Sequence, residues 1–149
     1  MAIVDIFAEV EKIKADLENL SVDDLKNELR DAADQGKDML LIDIREIQEV
    51  IDLGTIPGAV HVPRGMMEFW ASPTSPYYRD YFTEDKRIVA FCAGGGRSAF
   101  AARDLKAMGF NNVAHLELGF NGWAKSGGAV EDFASQSRWM RKPKGEGES

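Results

Sequence analysis

Thiol and imidazole side chains are scarce in this chain: among 149 residues there are one cysteine and two histidines. A single cysteine cannot close an internal disulfide, and a reducing compartment would leave its thiol free. The same scarcity falls short of the usual Cys/His zinc site, so no metal is expected. Long apolar runs are missing too. No stretch approaches the roughly 18 residues that span a bilayer, and the opening "MAIVDIFAEV" brings an acid too early for a signal peptide. The expected compartment is the cytoplasm. Positive charge is in deficit, with 18 Lys and Arg against 25 Asp and Glu and a net charge of −7. That balance opposes general attraction to nucleic acid or to an anionic membrane, so neither is expected as a partner.

What remains is enough for one domain with one core, and neither internal repeats nor a second domain are visible. Ile3, Ile6, Phe7, Val10, Ile13, Leu17 and Leu20 recur at helical spacing, which predicts an amphipathic helix over residues 1–20. Its apolar stripe packs on the core or, alternatively, forms a dimer contact. "SVDD" from Ser21 offers an N-cap and a capping-box acid at Asp24, opening a second helix through about Ala33. Then come short apolar runs: "MLLIDI" from Met39, "AVHV" from Ala59, "RIVAF" from Arg87 and "NVAHL" from Asn112. Continuous runs of this kind read as strands buried on both faces, hence a largely parallel α/β sheet. The helix "RSAFAARDLKAMGF" joins the last two, with Phe100, Ala101, Leu105 and Met108 as its expected buried stripe and Gly109 as its C-cap. Residues 65–85, rich in aromatics, are expected as short helices and a loop that cap one face of the core or form a lid over the site. The end of the chain, 133–149, mixes basic residues, glycines and acids and is expected as a flexible tail.

The lone cysteine stands in "FCAGGGRSAF", at the end of a predicted strand and directly before Ala93, three glycines, Arg97 and Ser98. Ligands of parallel sheets sit beyond the carboxyl ends of the strands, where Cys92 and Asp43 both fall. Gly94, Gly95 and Gly96 let successive N–H groups turn toward one point. The helix opening near Arg97 adds unpaired N–H groups and the positive end of its dipole. Both favour an anion on sulfur, and the thiolate is the nucleophile. The dipole alone supplies about 1 kcal/mol, so the converging amides must do most of the stabilising. Other readings of the glycines fail: a P-loop needs a lysine before its Ser or Thr, and the dinucleotide fingerprint needs G-x-G-x-x-G. His61 and His115 are read as structural hydrogen-bonding side chains, and neither is needed if the thiolate is already formed.

"LIDIRE" from Leu41, "GTIPGAVHVP" from Gly54, "CAGGGRS" from Cys92 and "LELGFNGWAKSGG" from Leu116 together resemble a single-domain rhodanese-like sulfurtransferase. The resemblance implies a rhodanese-like domain over about 21–132, with a five-stranded, mostly parallel sheet flanked by helices on both faces. It implies that Cys92 takes a sulfane sulfur from thiosulfate or a persulfide donor and passes it, as a persulfide, to a thiol or cyanide acceptor. The amides of Ala93, Gly94, Gly95, Gly96, Arg97 and Ser98 would cradle the terminal sulfur, with Arg97 and Ser98 shaping or charging the pocket. Asp43 and Arg45 match the family's Asp-x-Arg and are expected as an ion pair bracing the neighbouring loop. No cofactor is implied.

The related phosphatases carry a longer loop between cysteine and arginine, sized for phosphate. Here only Ala93 to Gly96 intervene, which fits a sulfur atom and makes phosphate hydrolysis the lesser reading. Glu49 stands where two-domain enzymes often carry a substrate-binding arginine, and a carboxylate at the mouth would repel thiosulfate. Leu118 replaces a glycine usual before "GF", a local backbone matter. A rival to turnover is a sulfur-carrier or regulatory module that binds a protein partner, with the N-terminal helix or the basic tail as contact, or a homodimer.

Overall fold

Four apolar runs become strands because their residues are shielded on both faces. The computed structural model describes residues 2–133; the expected tail lies outside the described residues except for Phe133. Strands β2 (Met39–Asp43), β3 (Val60–His61), β4 (Arg87–Phe91) and β5 (Val113–Leu116) match the runs, and a fifth, β1 (Glu18–Leu20), joins them at the edge. The order is β1-β5-β4-β2-β3, and every pair is parallel. This is an α/β fold with six α-helices among the described residues: α1 (Ile6–Lys14), α2 (Val22–Gln35), α3 (Ile47–Leu53), α4 (Met67–Ala71), α5 (Gly96–Met108) and α6 (Gly119–Lys125).

Alternation along the strands sorts two cores onto the two faces. Leu40, Ile42, Ile88, Ala90, Cys92 and Val113 pack with Ala101, Ala102 and Leu105 of α5 and with Met67 and Ala71 of α4. Leu41, Val89, Phe91, Ala114 and Leu116 pack with Val22 and Leu25 of α2 and with Phe120 and Trp123 of α6. Helices thus cover both faces, as a parallel sheet requires. Among the described residues no helix is long and apolar enough to cross a membrane.

The first helix is shorter than the expected 1–20. It runs over Ile6–Lys14, capped by the Asp5 carboxylate, and Glu18–Leu20 is a strand. The helical spacing of Leu17 and Leu20 is coincidental: Leu20 is buried as a strand residue paired in register with Leu116. Residues up to 20 are therefore not an appendage, since they contribute an edge of the sheet.

The capping box at Ser21 and Asp24 forms in both directions, and Gly36 in the left-handed region ends α2. In α5 the buried face is Ser98, Ala99, Ala101, Ala102 and Leu105, so the expected stripe is displaced. Phe100 is only half-buried, under the guanidinium of Arg103 at 4.9 Å, and Met108 is 38% exposed. Small alanines face the sheet and let the helix lie close to it. Gly109 does end α5, with φ 114°.

In the aromatic segment, a 3-10 turn at Arg64–Met66 leads into α4, followed by turns. Met67, Ala71 and Phe82 are buried there, and Trp70, Tyr78 and Tyr81 pack against the same cluster. Arg79 stacks over Trp70 at 4.3 Å, and the Tyr78 hydroxyl donates to the Phe82 carbonyl. The segment caps one face of the core. Further on, Thr55 and Glu131 exchange backbone hydrogen bonds of 2.9 and 2.8 Å, which hold Glu131 beside Gly54.

Candidate active site

The chain leaves β2 toward one edge of the sheet (β3) and leaves β4 toward the other (β5). That reversal sets a topological switch point between the carboxyl ends of β2 and β4, where parallel sheets bind ligands. Asp43 closes β2, and Cys92 directly follows β4.

Cys92 is 1% exposed. Its Sγ accepts from the Gly95 amide at 3.1 Å and from the Ser98 amide at 3.4 Å. Two of the six expected amides therefore point at the sulfur itself. Those of Gly96 and Arg97 lie in the first turn of α5, where no intrahelical carbonyl can reach them. The loop bends this way because Gly95 adopts φ 103°, and a Cβ there would stand 2.0 Å from the Glu117 carbonyl oxygen. From behind, the amides of Phe120 and Asn121 hold the carbonyls of Cys92 and Ala93 at 2.8 and 3.0 Å. Gly119 is required for that approach, since a Cβ on it would meet Ala93 O at 2.4 Å. Leu118, by contrast, has φ −92°, so this backbone asks for no glycine there.

Arg97 departs from expectation. Its guanidinium, 41% exposed, donates two hydrogen bonds to the Glu49 carboxylate at 2.7 and 2.9 Å instead of reaching into the sulfur pocket. The reason is local: Glu49, in the first turn of α3, stands at the mouth and offers a carboxylate with which the planar fork can pair in two places. The Arg97 bond holds the Glu49 carboxyl down to about 2, against a smaller opposing effect of burial. The cationic charge of Arg97 still acts on Cys92 at longer range.

Asp43 and Arg45 form a buried ion pair. Arg45 donates from Nη2 to Asp43 Oδ2 at 2.7 Å and from Nε to Oδ1 at 2.9 Å. The Thr55 hydroxyl donates to the same carboxylate at 2.8 Å, and Arg45 Nη2 also reaches Gly54 O at 2.6 Å. The guanidinium lies 4.2 Å from the centre of the Phe120 ring. His61 donates from Nε2 to the Arg45 carbonyl at 2.8 Å. The pair thus ties the end of β2 to the start of the "TIPGA" loop and to α6 behind the cysteine loop.

One buried residue near the sulfur escaped the sequence reading as a member of the site. His115, fully buried in β5, has Nδ1 2.9 Å from Ser98 Oγ and Nε2 2.7 Å from Asn19 Oδ1. Ser98 Oγ in turn lies 3.6 Å from Cys92 Sγ. Burial, with a smaller push from Lys14, brings His115 down to about 4, so it is neutral at physiological pH. Asn19 carries no local signal that points to the cysteine.

A parallel α/β sheet with a glycine-bent cysteine loop feeding a helix N-terminus defines a class of loop-cysteine proteins. Within that class the chain belongs to the rhodanese-like domain family, whose model matches residues 21–126. The solved structure of RPA3614 from Rhodopseudomonas palustris, described as a protein of unknown function and possible tyrosine phosphatase, is 39% identical. It superposes with a TM-score of 0.80, covering 88% of this chain and 97% of that one. YrkF of Bacillus subtilis, named as a sulfur carrier, is 33% identical over 90 residues, 60% of this chain and 44% of its own length. MoeZ of Mycobacterium tuberculosis, named a probable adenylyltransferase/sulfurtransferase, is 34% identical over 98 residues, 66% of this chain and 23% of its own. The chain thus spans less than half the length of these two curated relatives.

Proposed function

We propose that this protein is a sulfurtransferase that carries a sulfane sulfur on Cys92. The observation that supports the reading is the sulfur of Cys92 at this switch point, with the Gly95 and Ser98 amides aimed at it from a four-residue loop. In the first half-reaction the thiolate attacks the outer sulfur of thiosulfate or a persulfide donor. A bond forms between Sγ and that sulfur, and the donor's S–S bond breaks with its electron pair leaving on sulfite or the donor thiolate. In the second, a thiol or cyanide acceptor attacks the terminal sulfur and Sγ regains the pair. Neither step needs a cofactor, an oxidant or a catalytic base. The unpaired amides at the start of α5 would bear the terminal sulfur's negative charge.

Incubation with thiosulfate or a small persulfide, followed by intact-protein mass spectrometry, tests this directly. Wild type gains one sulfur and Cys92→Ser gains none. Wild-type protein that takes sulfur from no donor sinks the reading. The description of RPA3614 makes an aryl phosphate assay a natural control, and the short loop supports no turnover there.

A second reading, sulfur carriage to a protein partner, is favoured by exposed Ile3, Ile6 and Phe7 at the N-terminus. They precede Val10, whose methyl lies 3.8 Å from where a Gly96 Cβ would stand, so this apolar end sits near the cysteine loop. Deleting residues 1–20 would remove β1, so Ile3→Ser with Phe7→Ser is the proper probe. If they impair transfer to a protein acceptor while thiosulfate loading persists, the carrier reading gains. A second copy of this chain or a protein acceptor are the occupants to distinguish.

A further inference from the structure

The hydrogen bonds around His115 fix where its proton sits. Asn19 Nδ2 is spent on two backbone carbonyls, Lys14 O at 2.9 Å and Leu17 O at 3.0 Å. Its Oδ1 must therefore be the atom facing His115 Nε2 at 2.7 Å. Because Oδ1 can only accept, Nε2 carries the hydrogen and Nδ1 is left with a lone pair. Ser98 has one hydroxyl proton, and at 2.9 Å it goes to Nδ1. What Ser98 then presents to Cys92 Sγ, 3.6 Å away, is an oxygen lone pair. A lone pair welcomes S–H and repels a thiolate.

Resting on the assignment of Cys92 as the sulfur-bearing thiol, we propose that His115 is a positioning residue that holds the Ser98 hydroxyl proton away from Cys92. Ser98 Oγ thereby favours the thiol, which donates to it, against the Gly95 and Ser98 amides, which favour the thiolate. When the thiol ionises, its proton leaves to water and the Ser98 O–H turns from Nδ1 to the sulfur. His115 stays neutral throughout, so the switch is a rotation of one hydroxyl, not a proton relay. A general-base role would require a buried imidazolium, and its surroundings oppose one. His115 faces neutral Asn19 from β1, neutral Ser98 from α5 and the thiol after β4, while the ammonium of Lys14 in α1 repels positive charge. Arg97, whose charge acts on the sulfur, is held by Glu49.

The two roles predict opposite signs. Cys92 is the chain's only cysteine, so ultraviolet thiolate absorbance against pH reports it once the profile of Cys92→Ser, which carries the same three tyrosines, is subtracted. His115→Leu releases the Ser98 hydroxyl to the thiolate, and the profile moves to lower pH by about one unit, a hydrogen bond to a charged group being worth that much. His115→Asn, whose carboxamide oxygen can replace Nδ1, gives back part of the shift. Adding Ser98→Ala to His115→Leu removes it. An unchanged profile in His115→Leu, or one moved to higher pH as loss of a base would give, overturns the proposal. Should His115→Leu fail to fold, side-chain nitrogen NMR on wild type decides alone. A neutral Nε2–H tautomer from about pH 5 to 8 is expected, and an Nδ1–H tautomer or an imidazolium overturns it. None of these readings uses a sulfur donor, so failure of sulfur loading and failure of this inference are separately visible.

Discussion

Two buried polar clusters sit at the carboxyl ends of the strands, on opposite faces of the sheet, and they are built on opposite terms. Asp43 and Arg45 share the face of Phe91 and Phe120. They carry full charges, and Asp43 accepts from Arg45 and Thr55 at fixed short distances. Cys92, Ser98 and His115 lie on the face of α5 and contain no cation; their bonds depend on where one hydroxyl proton points. A buried ion pair cannot change state without leaving a bare charge, which suits a brace. A neutral network around sulfur can accept or donate with a small rotation, which suits the proposed cycling of Cys92 through thiol, thiolate and persulfide.

Breaking the brace should cost most. Asp43→Ala leaves the Arg45 guanidinium buried without its counter-charge, and loss of one partner of a buried pair costs about 3–5 kcal/mol. Urea denaturation should show that loss, while folded molecules still load sulfur. Ser98→Ala, the matching cut in the neutral cluster, should cost about 1 kcal/mol but disturb thiol ionisation. If the two costs come out equal, the contrast between the clusters fails.

Acid should separate the clusters next. His115 is held near 4 in the folded chain against an ordinary value of 6.5. Below about 6.5 the unfolded chain takes up a proton there and the folded chain does not, so stability falls as pH drops and stops falling near 4. The loss is on the order of 3 kcal/mol at most. His115→Asn should flatten the denaturation midpoint over that window relative to wild type. A wild-type slope that survives the substitution would assign the acid sensitivity elsewhere.

The same division marks what the sequence could tell. The brace was readable through the resemblance, because Asp43 and Arg45 match the Asp-x-Arg of rhodanese-like chains. So were β2 to β5, whose runs are uninterrupted, and the cysteine loop, whose glycines stand together. The neutral cluster was not readable as a unit. Ser98, His115 and Asn19 come from three elements, and Asn19 meets His115 only because β1 and β5 pair in that register. The strand that supplies Asn19 is three residues long and begins with an exposed Glu18, so helical spacing of its leucine neighbours prevailed. A histidine inside the buried run "VAHL" was the one available signal, since a buried ring needs partners for both nitrogens. Arg97 was misdirected for a different reason: Glu49 lies 48 residues away, and only the fold brings the two together.

That surface pair offers the smallest effect and the finest comparison with the buried one. Glu49 and Arg97 are both partly exposed, so water screens them, and Glu49→Gln should change stability by no more than about 1 kcal/mol. With the carboxyl held near 2, the pair stays charged at any working pH and cannot act as a pH switch. Its consequence is in rates: removing one negative charge at the mouth and freeing Arg97 should speed loading by dianionic thiosulfate about fivefold at low salt. The gain should shrink as salt rises and be smaller for an uncharged persulfide donor. Equal acceleration with both donors would mean that Glu49 acts by occupying the mouth, and its charge would then have no part in choosing the substrate.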